Sequence, residues 1–236
     1  MTTRTFKVYC RITARLNTGS LIIKEIHEFN STLFRDSLKI YDRFFGHSVF
    51  SRPPEKVVTM FKHDRNYHLF VATLDNSVIG ISLLYIFSSL QIGLLDYITV
   101  VHEYRQKGIG KRLFTYTLDE LRKYLVAPIG LLIEVQKEGD SDNRDTNKKR
   151  IKFYADLGAK LIEDICYLIP VQYTLNSKEM HLMMWPFKEL SYVTKDSLIQ
   201  YVRAIYSIIY EYPKNDLLER TFQTSPGIIK LSSPPC

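Results

Sequence analysis

Residues Leu94 to Leu121, LLDYITVVHEYRQKGIGKRLFTYTLDEL, join an apolar strand to an amphipathic helix through a glycine turn with no residue to spare. Leu94 to Val101 is apolar and β-branched, interrupted only by Asp96 and Thr99, and reads as a buried strand. Glu103 to Lys107 is charged, Gly108 and Gly110 bracket Ile109, and Phe114, Leu118, Leu121 and Leu125 then recur at helical spacing. The spacing predicts a helix from Gly110 to Tyr124. Its first N–H groups have no partner inside the helix and point at whatever occupies the turn, and glycines let a ligand come close to them. An anion is the expected occupant. Arg105, Lys107, Lys111 and Arg112 would neutralise its charge as well as hydrogen-bond it. The turn has neither the G-x-G-x-x-G spacing of a dinucleotide loop nor the G-x-x-x-x-G-K-[ST] spacing of a P-loop.

The chain on either side supplies a sheet for this unit. Phe6, Val8, Cys10 and Ile12 alternate as an added edge strand would, Ser20 to Phe29 reads as a strand, and Ser31 to Phe45 reads as an amphipathic helix carrying Leu33, Phe34, Leu38, Tyr41 and Phe45. Pro53 and Pro54 interrupt, and Glu55 to Phe61 restarts as a short helix. Tyr67 to Leu74 and Val78 to Phe87 form an antiparallel hairpin about Asp75 and Asn76. After the central helix, Leu131 to Gln136 is a strand carrying Glu134, and the strand-helix-strand order makes it parallel to Leu94–Val101. Lys137 to Asn147 is a polar loop, Asn147 to Leu157 a helix capped by Gly158, and Leu161 to Pro170 and Met180 to Trp185 are closing strands about a loop, Tyr173 to Glu179. Thr194 caps a helix running to about Tyr212, with Leu198, Val202, Ile205 and Ile209 on one face, and the residues from Ser225 read as a disordered end.

Composition narrows the function classes. A chain of 236 residues that is 45% hydrophobic can bury one domain with an appendage. The formal net charge of +7 is spread along the chain, its tightest run being Lys148-Lys149-Arg150, so neither nucleic acid nor a membrane surface is the expected partner. Three cysteines, Cys10, Cys166 and Cys236, make no disulfide framework, and Cys166 reads as a small buried hydrophobe. With no leader and no membrane-length apolar run, a cytoplasmic location is expected. His63 and His68 have no partners at ligand spacing, and no metal site is expected.

Arg105-x-x-Gly108-x-Gly110 directly after a strand resembles the coenzyme A pyrophosphate loop of the GNAT superfamily of acyl-CoA-dependent N-acyltransferases. Asn147-x-x-Arg150-x-x-x-Tyr154 followed by Leu157-Gly158-Ala159 is similar to the superfamily's N-x-x-A-x-x-x-Y and L-G-F, and the distance between the two motifs holds one helix and one strand. Arg150 stands where a small residue is usual, and the preceding polar loop is longer than in compact members. The resemblance implies an α/β (α+β) fold with a mixed, mostly antiparallel sheet and helices on both faces, over residues 1–190 with its core at 20–187, and a C-terminal helix and tail, 191–236, packed on it.

It also implies the chemistry. Acetyl-CoA would be the co-substrate, and a small-molecule or peptide amine would attack its thioester directly, with a homodimer left open. The main chain at Ile98, Thr99 and Val100, the turn residues Arg105, Gln106, Lys107, Gly108, Ile109, Gly110 and Lys111, and Asn147 and Tyr154 would hold it. Asn147 is equally readable as a helix N-cap. Tyr154 is the candidate acid toward the departing thiolate, against the alternative of a packed core tyrosine. Asp96 and Glu134, the two carboxylates inside apolar central strands, are candidate bases, or else acids paired to Lys or Arg. His102 reads as a surface residue. The competing function is a catalytically inactive acyl-CoA-binding or protein-docking module of the same fold. Acceptor choice would fall to residues 31–61, the loop 173–179 and the C-terminal addition, and the 16 tyrosines are candidates for lining an acceptor pocket.

Overall fold

In the computed structural model of the chain, the described residues are 12–16, 19–46, 48, 51–137, 144–171 and 176–234. Phe6, Val8 and Cys10, Cys236, and most of the two loops at 138–143 and 172–175 lie outside them.

The strands are β1 (Ile12–Leu16), β2 (Gly19–Ile26), β3 (Tyr67–Leu74), β4 (Ser77–Phe87), β5 (Ile92–Val100), β6 (Gly130–Gln136), β7 (Lys160–Ile162), β8 (Leu168–Pro170), β9 (Ser177–Pro186), β10 (Tyr192–Thr194) and β11 (Ile228–Ser232). They lie in the order β1-β2-β3-β4-β5-β6-β9-β7-β11-β10, with β8 on β9. Among the described residues only β5 and β6 pair in parallel. The first five strands pair antiparallel in chain order, with α1 (Thr32–Phe45) and α2 (Pro54–His63) between β2 and β3 and a tight turn between β3 and β4. Asp75 and Asn76 both take left-handed backbone, φ 48° and 66°, which suits a two-residue hairpin turn between right-twisted strands.

Helices cover both faces. On one lie α1 (Thr32–Phe45), α2 (Pro54–His63), α5 (Lys195–Ala204) and α6 (Asp216–Phe222), contributing Phe34, Tyr41, Val57, Leu198, Val202 and Phe222 to a core with Leu69, Leu94 and Leu132 of the sheet. On the other lie α3 (Ile109–Tyr124) and α4 (Arg144–Asp156), contributing Leu113, Phe114, Leu121, Ile151 and Tyr154 against Phe70, Leu95, Leu131 and Ile133. Neighbouring strand residues supply opposite cores, as the two-residue period of a pleated strand requires. Caps fix the entries: Ser31 Oγ accepts from Phe34 N–H at 3.2 Å, and Pro54 opens α2 at a position that needs no N–H.

The expected mixed sheet with helices on both faces is present, and five local expectations are corrected. Helix α4 begins at Arg144, one turn before Asn147, which excludes Asn147 as its N-cap. The single strand expected over Leu161–Pro170 is two, because residues between them bond to the C-terminal segment instead: Glu163 N–H donates to Lys230 O and Cys166 N–H to Thr221 O, around left-handed Asp164. Cys166 is consequently exposed, and its neighbour Tyr167 takes the buried position. The chain beyond Ser225 is ordered as β11, paired with β7 and β10, and the helix expected to reach Tyr212 turns at Ala204 into a wider π turn, Ile205–Ile209.

Candidate active site

Two irregularities meet on β5. Along β4, Leu84 faces Leu95 and Leu83 faces Tyr97, so Asp96 is an extra residue, a bulge. Along β6, pairing ends with Leu95 opposite Ile133, and the strands part. Beyond that rung the facing edges of β5 and β6 have no strand partner, and the next residue on each is a carboxylate, Asp96 and Glu134. The backbone of Tyr97 to Val100 stays bonded to β4 on its other side. A short opening with main-chain donors and acceptors on one edge and two carboxylates at its apex can take an extended ligand arm.

The two acids live in different surroundings. Asp96 forms a buried ion pair with Arg52 Nη2 and accepts from the Tyr67 hydroxyl at 2.6 Å. Burial pushes the Asp96 carboxyl up, against the opposing pull of Arg52 and Tyr67. Arg52 is fixed in turn. It precedes Pro53, which holds it extended, its N–H donates to the Tyr97 hydroxyl at 3.1 Å, and its carbonyl accepts from the Tyr41 hydroxyl at 2.7 Å. Its Nη1 donates to Ile209 O at 3.3 Å, meeting one of the carbonyls that a helix end leaves free, and its guanidinium lies 5.2 Å over the Tyr97 ring.

Among the described residues Glu134 has no ion-pair partner of its own. The Tyr167 hydroxyl donates to Oε1, and the Tyr210 hydroxyl donates to Oε2 at 2.9 Å. Burial lifts this carboxyl to about 7, against the pull of the two tyrosines, with Asp96 adding to the rise and Arg52 opposing it. A carboxyl poised there can exchange a proton near neutrality.

The glycine turn opens α3 as expected. Gly108 sits at its N-cap with φ +74°, and a side chain at that position would meet nothing within 4 Å, so the approach is clear. Among the described residues no side chain caps the helix, leaving its first N–H groups available. Gln106 is also left-handed, at φ 61°, and Gln106, Lys107 and Lys111 are exposed around the opening. Arg105, itself exposed, reaches back to the strand: Nε donates to Val100 O at 2.8 Å, and its guanidinium lies 5.2 Å from the Phe44 ring, fastening the end of β5. Gly110 lies in the first turn of α3, and Ile109 is buried beneath it.

Tyr154 packs against Phe114 and Phe153 on the α3 and α4 side of the sheet, the opposite side from the tyrosines of Glu134. Burial lifts its hydroxyl to about 12, so it is protonated at neutral pH. Asn147 is fully buried, its Nδ2 donates to Lys137 O at 3.1 Å, and its Oδ1 has no partner among the described residues. Left-handed Gly158 ends α4, where Trp185 Nε1 donates to Leu157 O at 2.6 Å. His102 is exposed. No group of three or more metal-ligating side chains occurs among the described residues.

Sequence reasoning missed Arg52, Tyr67, Tyr167 and Tyr210. The abundance of tyrosine was the only signal, since the bonds that bring them to Asp96, Glu134 and Ile209 span 29 to 157 residues.

Residues 33–159 match the family model described as the Acetyltransferase (GNAT) family, over half of the chain. The chain belongs to the GNAT acetyltransferase family. Solved GNAT structures share its fold. A protein described as a GNAT-family acetyltransferase from Bacteroides thetaiotaomicron is 19% identical with a TM-score of 0.59, covering 80% of this chain and 97% of its own. Ard1 from Thermoplasma volcanium is 19% identical with a TM-score of 0.51, covering 72% and 99%. The ribosomal-protein-S18-alanine N-acetyltransferase from Escherichia coli is 18% identical with a TM-score of 0.50, covering 72% and 96%. No curated protein matches the chain significantly. Among the described residues no helix is long and apolar enough to cross a membrane.

Proposed function

We propose that this GNAT protein is an acetyl-CoA-dependent N-acetyltransferase in which Glu134 draws the proton from a primary amine at the mouth of the β5–β6 opening. Bound acetyl-CoA supplies the thioester: the amine nitrogen bonds to its carbonyl carbon, the C–S bond breaks, and the sulfur takes the electron pair. The open N-terminus of α3 at Gly108 fits the pyrophosphate, since donors are free there and nothing crowds them. The free edge of Tyr97 to Val100 would orient the pantetheine amides, with Asn147 as a further polar contact. Tyr154 would give the leaving sulfur its proton, its hydroxyl being protonated near neutrality. Asp96 would not serve as the base; tied to Arg52 and Tyr67, it would hold the opening's apex and draw in a cationic amine. Glu134, a carboxyl at about 7 beside the parted rung and without an ion-pair partner among the described residues, is the observation that carries this reading. The test is thiol release from acetyl-CoA across a panel of primary amines between pH 5 and 9. The accepted amine should give a rate that rises with pH through about 7 and loses that limb in Glu134→Gln. A limb that stays in Glu134→Gln sinks the assignment.

A further inference from the structure

The candidate base is held on both oxygens by residues beyond the family match, Tyr167 and Tyr210. We infer that Tyr210, on the C-terminal segment, is a positioning residue that aims Glu134 and holds it ready to take a proton; this rests on the reading of Glu134 as the base. Four observations support it. The matched region ends at residue 159, so both hydroxyls on Glu134 come from beyond it, and the one that meets Oε2 at 2.9 Å comes from the C-terminal segment, from Tyr210. With Tyr167 on Oε1, the two hydroxyls clamp both oxygens of the carboxylate, which fixes its plane and leaves its remaining lone pairs for an incoming ammonium. The segment that delivers Tyr210 is anchored on every side. Ile205 and Ile209 are buried, the Tyr206 hydroxyl donates to Leu168 O and lies 3.1 Å from Thr221 Oγ1, Ile209 O accepts from Arg52, and Glu211 bonds Lys56 at 2.7 Å. Finally, the turn is a π turn, closed by Tyr210 N–H to Ile205 O at 3.2 Å, a rare geometry frequently retained at functional sites. One guanidinium therefore joins the segment's end to Asp96, while one phenol joins it to Glu134.

The charged and titratable groups facing Glu134 are Asp96, Arg52, Tyr167, Tyr206 and Tyr210. A hydroxyl donor favours the ionised carboxylate, so removing one raises the pH at which Glu134 gives up its proton.

The test is carbon-13 NMR titration of the Glu134 side-chain carboxyl in the full chain labelled at glutamate, assigned by its loss in Glu134→Gln. Wild type should titrate near neutrality. Tyr210→Phe should move the midpoint up by roughly one pH unit, the worth of a hydrogen bond to a charged group. Site-specific 3,5-difluorotyrosine at position 210, a stronger donor, should move it down, and either substitution alone decides the matter if the other does not fold. A midpoint unchanged in the substituted protein overturns the role of Tyr210. A wild-type Glu134 that does not titrate between pH 5 and 9 overturns the reading of the base itself.

Discussion

Asp96 and Glu134 follow the same rung, Leu95 opposite Ile133, on two parallel strands that part beyond it, and only Asp96 has a buried arginine as its partner. The register brings both acids to the apex of one opening, and their unequal partners divide the roles. Arg52 and Tyr67 hold Asp96, whereas tyrosine hydroxyls alone hold Glu134, and its proton is the more easily exchanged near neutrality.

Replacing Glu134 by Gln keeps the shape and removes the base. The rate of acetyl transfer should fall by about 10² to 10⁴, the usual worth of general base catalysis, with acetyl-CoA affinity little changed. Steady-state kinetics together with calorimetric binding separate the two quantities.

The same substitution should stabilise the fold at alkaline pH. A carboxyl raised to about 7 in the folded chain is favoured there in its neutral form, so its contribution is present below the ordinary glutamate range near pH 4.3 and lost as pH rises through about 7. The difference in stability between Glu134→Gln and wild type, followed by urea unfolding, should grow in favour of the variant between about pH 4 and pH 7, by up to roughly 3 kcal/mol. A difference that is flat with pH contradicts the burial argument.

Arg52→Met leaves Asp96 as an uncompensated buried carboxylate and frees the carbonyl of Ile209. The loss should be about 3–5 kcal/mol, and Arg52→Met combined with Asp96→Leu should recover most of it, since removing one partner of a buried pair costs more than removing both. Unfolding midpoints of the two single variants and the double variant measure the coupling.

Tyr154→Phe deletes one hydroxyl from a packed ring and should keep its contacts with Phe114 and Phe153. Turnover should drop by about 10-fold or more while acetyl-CoA binding holds, if this hydroxyl serves the leaving sulfur. Equal turnover assigns Tyr154 to packing alone.

The legible part of this protein was local. Strand, glycine turn and helix follow from the apolar run to Val101, from Gly108 at a left-handed position, and from the helical spacing of Phe114, Leu118 and Leu121. Asp96 and Glu134 stood out because charge is rare inside such strands. That they lie just past the same rung was not legible, since the register of β6 on β5 is set by pairing between strands far apart in the chain. Arg52 was hidden because its partners Asp96 and Ile209 are 44 and 157 residues away. Tyr210 was hidden by the π turn, which departs from the helical spacing used to read Leu198, Val202 and Ile205. The break after Ile162 and the exposure of Cys166 depend on hydrogen bonds to Lys230 and Thr221, and the first of these lies in the end from Ser225 that reads as disordered in the sequence.

Titration calorimetry of acetyl-CoA into the protein and into Gly110→Asp tests the account most directly. A Cβ at Gly110 would stand 3.7 Å from Phe153, an ordinary contact, so the variant should fold and differ chiefly by an anion placed at the mouth of α3. The account predicts submillimolar binding that weakens at least about 10-fold in the variant, the consequence of like charge at a helix N-terminus. Absence of binding by the wild-type protein, or equal binding by both, would contradict it.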